Sequence, residues 1–280
     1  MVDEMNDRRR RFGRRTSTTL DDGWTTFRVR TLDGVNIAGV EVPCTMSTKS
    51  AVVLCHGFLG SWRRSQNVGL ARALAARHAV FLFDFRGHGA SGGHSTVGDR
   101  EALDVHAVVG HARDRGYDRV VTVGASMGGV SVLREAARFG DVDAIVSVSA
   151  PARWAGHGRI ARTAGVLVST RFGRAFARRA LKTHVYHEWT WASPPIEMID
   201  SIAVPVLIVH GSDDRFIPKA QAELLYNRAR PPKRLLVLDA FGHAELGYDA
   251  PFAQQLVREI DGMLAGDGWG VPQSAAGGPS

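Results

Sequence analysis

Apolar residues along this chain fall into short continuous runs, separated by segments in which they recur every three or four positions. Six runs read as strands: Ala51–His56, Ala79–Phe83, the stretch from Val120 up to Gly124, Asp143–Ser149, Val204–His210 and Arg234–Leu238. Each is nearly unbroken in apolar residues, the pattern of a strand covered on both faces. Two earlier segments, Thr25–Arg30 and Val35–Val42, are strand-like and flank Asp33-Gly34, a strong hairpin signal. Helical spacing comes between the runs. It covers Val68–Arg77 (Leu70, Ala73, Leu74), Arg100–Arg115 (Leu103, Ala107, Val108, His111) and a segment starting near Met127 (Val130, Leu133, Ala137). This alternation predicts a single α/β domain over residues 24–265. Residues 1–23 are polar and unpatterned, and residues 266–280 are a Gly/Ser/Pro tail, so both ends are expected to lie outside the fold.

Residues 151–200 break the alternation. Arg159–Ser169 and Arg171–His184 read as helices, the second with Phe172, Phe176 and Ala180 along one side and Arg171, Arg174, Arg178 and Lys182 along the other. We expect a short helical lid. Trp154, Tyr186, Trp189 and Trp191 lie in or beside it, where they either roof a substrate or fix the insertion to the core. The arginine side is expected to be a solvated surface.

The 280 residues suffice for one large domain, and 44% hydrophobic with 22% charged residues is ordinary composition for a globular chain. The net charge of +7 is uneven. Residues 1–15 hold six arginines against three acids, and residues 151–200 hold eight basic against three acidic residues, leaving the remainder near neutral. A short terminal arginine run is expected to solubilise rather than to bind nucleic acid. Cys44 and Cys55 make no disulfide framework. No run reaches the roughly 20 apolar residues that span a bilayer, so no integral membrane association is expected. Arg9-Arg10-Arg11-Phe12 is similar to a twin-arginine export signal but lacks the apolar segment that should follow, so the expected location is cytoplasmic. No metal-ligand spacing stands out, and neither metal nor organic cofactor is expected.

The chemistry centres on Gly124-Ala-Ser126-Met-Gly128, between a buried-strand run and a helix. A serine at such a corner is held in strained backbone with its hydroxyl exposed, and glycines two residues to either side allow the close approach this requires. The unpaired N–H groups opening the following helix suit a developing anion. In His56-Gly57-Phe58-Leu59-Gly60, the glycines allow a tight loop that turns a backbone N–H near Phe58 toward the serine. Asp213-Asp214 follows one strand and His243 another, so serine, acid and histidine each fall just after a buried strand, in that order. Asp84, Arg86 and His88, in a glycine-rich turn, are expected to tie that loop to its neighbours.

These segments, with Asp84-Phe-Arg-Gly-His-Gly89, His210-Gly-Ser-Asp-Asp-Arg-Phe-Ile-Pro218 and Gly242-His243, resemble the α/β-hydrolase superfamily, nearest its monoacylglycerol-lipase-like and serine-aminopeptidase-like branch. The match runs from about Val35 to Ile260. The resemblance implies an α/β-hydrolase fold: a mostly parallel eight-stranded sheet, helices on both faces and a lid. It implies Ser126 as nucleophile, His243 as general base and Asp214 as acid, with Asp213 the alternative, and Phe58 and Met127 N–H groups as the oxyanion hole. Candidate substrate contacts are His56, Gly57, Trp154 and Trp189. The expected activity is hydrolysis of a carboxylic ester, or a related acyl bond, of a small molecule through an acyl-enzyme. The same triad would also serve a cofactor-free perhydrolase or an acyltransferase, and the fold would serve a non-catalytic binder of a small ligand.

Overall fold

The eight predicted runs form eight strands of one sheet: β1 (Thr25–Arg30), β2 (Asn36–Val42), β3 (Ser50–Cys55), β4 (Ala79–Asp84), β5 (Arg119–Ala125), β6 (Ala144–Val148), β7 (Val206–Gly211) and β8 (Lys233–Leu238). The computed structural model describes residues 23–153, 169–187, 192–266 and 268–270. The strand order is β1-β2-β4-β3-β5-β6-β7-β8. The β1–β2 hairpin is antiparallel, with Arg30 opposite Asn36 and Gly34 in the turn at φ +87°, a conformation glycine adopts freely. β2 pairs antiparallel with β4, and every remaining pair is parallel.

Alternate side chains enter two separate cores, as the unbroken apolar runs require. Ala51, Val53 and Cys55 face one core with Phe81, Phe83 and Ile208, while Val52 and Leu54 face the other with Leu82, Leu207 and Val209. Helices α2 (Glu101–Asp114), α3 (Met127–Arg138) and α5 (Ala220–Arg228) cover the first face. Helices α1 (Ser65–Leu74) and α6 (Ala250–Ala265) cover the second. The remaining described α-helix, α4 (Arg171–Ala180), belongs to the insertion.

Several boundaries differ from the apolar reading. α1 starts earlier than Val68, at Ser65, because Asn67 anchors its first turn by donating to Ser61 O at 3.0 Å. α4 ends at Ala180 rather than His184, since Lys182 turns at φ +50° and Thr183 and Val185 bridge to His88 and Ser95. Its apolar side is also corrected: Phe172 and Phe176 are 73% and 57% exposed, and Ala177 alone among its residues is buried. α5 and α6 were not marked by the runs, although Asp249 caps α6 by accepting from Phe252 N–H, and Phe252, Leu256, Ile260 and Met263 are buried at helical spacing. The tail boundary at 266 is corrected as well. Trp269 is buried, donates from Nε1 to Glu259 at 2.7 Å and lies under the Arg234 guanidinium, while Gly270 O accepts from Lys233 N–H. An indole with a partnered N–H overrides the tail-like composition around it. The predicted helix Arg159–Ser169 lies almost wholly outside the described residues.

Candidate active site

Since β3, β5, β6, β7 and β8 run parallel, the segments that leave their C-terminal ends share one edge of the sheet, where open α/β sheets keep their ligand crevice. Ser126 leaves β5, Asp214 follows β7, His243 follows β8 and Phe58 follows β3. The tip of β6 joins two of them. Ser126 N–H donates to Val148 O at 2.8 Å, and Ala244 N–H donates to the hydroxyl of the next residue, Ser149, at 3.1 Å.

Ser126 stands at the strand-to-helix corner with φ 52° and ψ −110°, a strained conformation for a residue with a side chain. The corner is this tight because two glycines permit it. A Cβ on Gly124 would strike Gly128 O, and one on Gly128 would lie 2.5 Å from Cys55 O and 2.7 Å from His56 O. Leu59, Ser149 and Ala244 also have positive φ, so strain of about 1–3 kcal/mol per residue collects around Ser126.

His243 Nδ1 donates to Asp214 Oδ2 at 2.8 Å, and its ring lies 4.9 Å from that of Phe216. The other Asp214 oxygen accepts from Phe216 N–H at 2.8 Å and Ile217 N–H at 2.9 Å. Burial alone would raise the Asp214 pKa, but the hydrogen bonds from His243, Ile217 and Phe216 outweigh it and hold the carboxyl below its ordinary range. Asp213 is exposed and is not the partner of His243. Sequence reasoning gave no role to His210, which is fully buried, bonded through Nε2 to Ile217 O at 2.9 Å and 3.5 Å from Asp214 Oδ2, so it backs the acid loop.

The loop after β3 is tied to the loop after β8, because Gly57 N–H donates to Glu245 Oε1 at 2.6 Å. Glu245, two residues beyond His243, is a positioning residue that no spacing rule singles out. Neither Phe58 nor Met127 donates its backbone N–H to an acceptor among the described residues. His56 and Gly57, expected to contact substrate, are placed behind the site instead. His56 is 1% exposed, its Nε2 accepts from Phe85 N–H at 3.1 Å, and Nδ1–H therefore donates to Gly57 O at 2.7 Å. Burial, with the neighbouring His88, lowers its pKa to about 3, so the ring is neutral. Trp154 and Trp189 lie outside the described residues.

The turn after β4 has the tying role expected of it. Asp84 accepts from the Ser61 hydroxyl, Arg63 and Ala90 N–H, and Arg86 bridges Asp33 and Asp104. From above, Ala177 and Val185 of the lid pack on Phe58, Leu59 and Val97, and His184 is paired to the turn through Ser95 N–H and Gly87 O at 2.7 Å each. Among the described residues no helix is long and apolar enough to cross a membrane.

Comparison with known proteins agrees with this architecture. A family profile described as alpha/beta hydrolase fold matches residues 50–185. The human alpha/beta hydrolase domain-containing protein 17B is 26% identical over 242 residues, covering 85% of this chain and 75% of its own length. The uncharacterized protein Rv2307c of Mycobacterium tuberculosis is 30% identical over 225 residues, covering 77% of this chain and 70% of its own. Among solved structures, the Pyrococcus furiosus esterase Pf2001 superposes with a TM-score of 0.69 at 22% identity, covering 86% of this chain and 92% of that one. Est1E of Butyrivibrio proteoclasticus, solved with ferulic acid bound, gives 0.62 at 19% identity, covering 85% and 99%.

Proposed function

Because the chain belongs to the α/β-hydrolase superfamily, we propose that it is a serine hydrolase cleaving a carboxylic ester, or a related acyl bond, of a small molecule. The observation that carries the reading is the Asp214–His243 contact at 2.8 Å on the sheet edge from which the strained Ser126 projects.

A serine hydroxyl is a poor nucleophile near neutrality and needs a base within reach. With Nδ1–H engaged by Asp214, His243 keeps Nε2 free to take the Ser126 proton as the oxygen attacks the acyl carbon. Asp214 stabilises the imidazolium that results. The uncommitted N–H groups of Phe58 and Met127 hold the oxyanion of the tetrahedral intermediate, each worth on the order of a hundred- to a thousandfold in rate. His243 then protonates the leaving group, and water, activated by the same imidazole, releases the acid. The working unit in this reading is one domain over residues 24–270 with a lid insertion at 151–200, and its partner is a small acyl substrate.

The test is a fluorophosphonate probe with peptide mapping. Labelling at Ser126, together with turnover of p-nitrophenyl esters, is the expected result. A folded protein that neither labels nor turns over overturns the reading in favour of a non-catalytic ligand binder.

A further inference from the structure

At the far end of α3 from Ser126, three ligating side chains meet that take no part in this chemistry. His106 comes from α2, Glu135 from α3 and Asp141 from the turn beyond it. One donor atom from each lies within 4.8 Å of the others. His106 Nδ1 is 3.0 Å from Asp141 Oδ2 and 3.5 Å from Glu135 Oε1. The Glu135 side chain is wholly shut from water, yet neither of its oxygens has a hydrogen-bond partner, and His106 Nδ1 and Asp141 Oδ1 have none either. The groups are near enough to bond to one another and are not aligned to do so. An ion shared by the three would give each unbonded donor atom a partner.

We propose that His106 Nδ1, Glu135 and Asp141 hold one divalent transition-metal ion of the zinc class. Metal–ligand bonds of about 2.0–2.2 Å put neighbouring donor atoms roughly 3.0–3.4 Å apart, and the two observed separations of 3.0 and 3.5 Å lie close to that range. An imidazole beside two carboxylates favours zinc, manganese or cobalt over magnesium or calcium, which prefer oxygen alone. The Phe139 ring stacks on His106 at 3.9 Å and 18°, fixing the imidazole plane. His106 and Asp141 side chains are 26% and 36% exposed, which leaves a path for the ion and room for water ligands. The site lies about 12 Å along α3 from Met127, so its role is to clamp α2 to α3 rather than to take part in acyl chemistry.

The experiment uses the full-length, tag-free protein, stripped by chelator and titrated with Co²⁺ and Zn²⁺. Expected are one bound equivalent, a visible cobalt absorption band, and a Tm rise of about 5–10 °C at a hundredfold excess over Kd. His106→Gln and Asp141→Asn change partly exposed side chains and should fold, as near-UV circular dichroism will show. Each should weaken binding by at least tenfold and lose the Tm rise, with fluorophosphonate labelling unchanged. His243→Ala should bind metal as well as the unaltered protein. Absence of stoichiometric binding at micromolar metal, binding undiminished in both variants, or binding lost in His243→Ala would each overturn the proposal.

Discussion

The floor of the candidate site and the lid above it are held by opposite means. On the floor, Ser126 and Glu245 are fixed by bonds to the ends of other strands, Asp214 is held by N–H groups of its own loop and by His243 beyond β8, and Gly124 and Gly128 sit where no side chain fits. The lid helix α4 buries only Ala177, leaves Phe172 and Phe176 in solvent, and is tied down chiefly by the backbone pairing of residues 183–186 with the turn after β4. Reaction geometry tolerates little error, so it rests on elements that cannot shift singly. An apolar cover needs only to be near, so its side chains are free to vary. In the proposed reading the chemistry belongs to the floor, and the lid is the part free to vary without disturbing it.

Changes to the floor should be the more damaging. Ser126→Ala and His243→Ala are expected to lower ester turnover by at least about a thousandfold while the Tm stays within a few degrees, measured with p-nitrophenyl esters and calorimetry. Asp214→Asn should cost about a hundred- to ten-thousandfold in kcat, against less than about threefold for Asp213→Asn, because only Asp214 meets His243. The reverse order would exchange their roles. Gly128→Ala should fail at the level of folding, losing on the order of 3 kcal/mol or more in urea unfolding, since its Cβ would press on the Cys55 and His56 carbonyls.

The acid loop gives a smaller effect with a defined sign. The folded Asp214 carboxyl is held below its ordinary range, so its contribution to stability is complete above about pH 4, the unfolded value, and is lost as pH falls through the folded one. Below that pH the Tm of the unaltered protein should fall more steeply than that of Asp214→Asn, and parallel curves would contradict the linkage. The smallest stability effect belongs to the lid. Phe172→Ser with Phe176→Ser should shift stability by no more than about 0.5 kcal/mol per site and leave kcat for short p-nitrophenyl esters nearly unchanged, since both rings stand in solvent. A drop in kcat as large as that of the floor variants would show that lid and floor are one unit.

How much could be read from the chain follows the same division. Apolar runs such as Ala51–Cys55 and Ala79–Phe83 are dictated by burial on both faces, so eight strands and their approximate bounds were legible. The Ser126 corner was legible as well, because a turn that only glycine permits leaves glycine in the sequence. The cap and spacing of α6 are local too but lie outside any continuous apolar run, and Trp269 is hidden by the glycine and proline around it, which read as a tail.

By itself, then, the sequence determined what depends on neighbours along the chain: strand against helix, hairpin against crossover, and a serine at a sharp corner. Only the tertiary structure decided which aspartate meets His243, that His56 and Gly57 support the site from behind, that Phe172 and Phe176 face outward, and that His106, Glu135 and Asp141 converge. Each of these depends on atoms from segments far apart in the chain, and their distances are fixed by sheet order and helix packing, which no local pattern records.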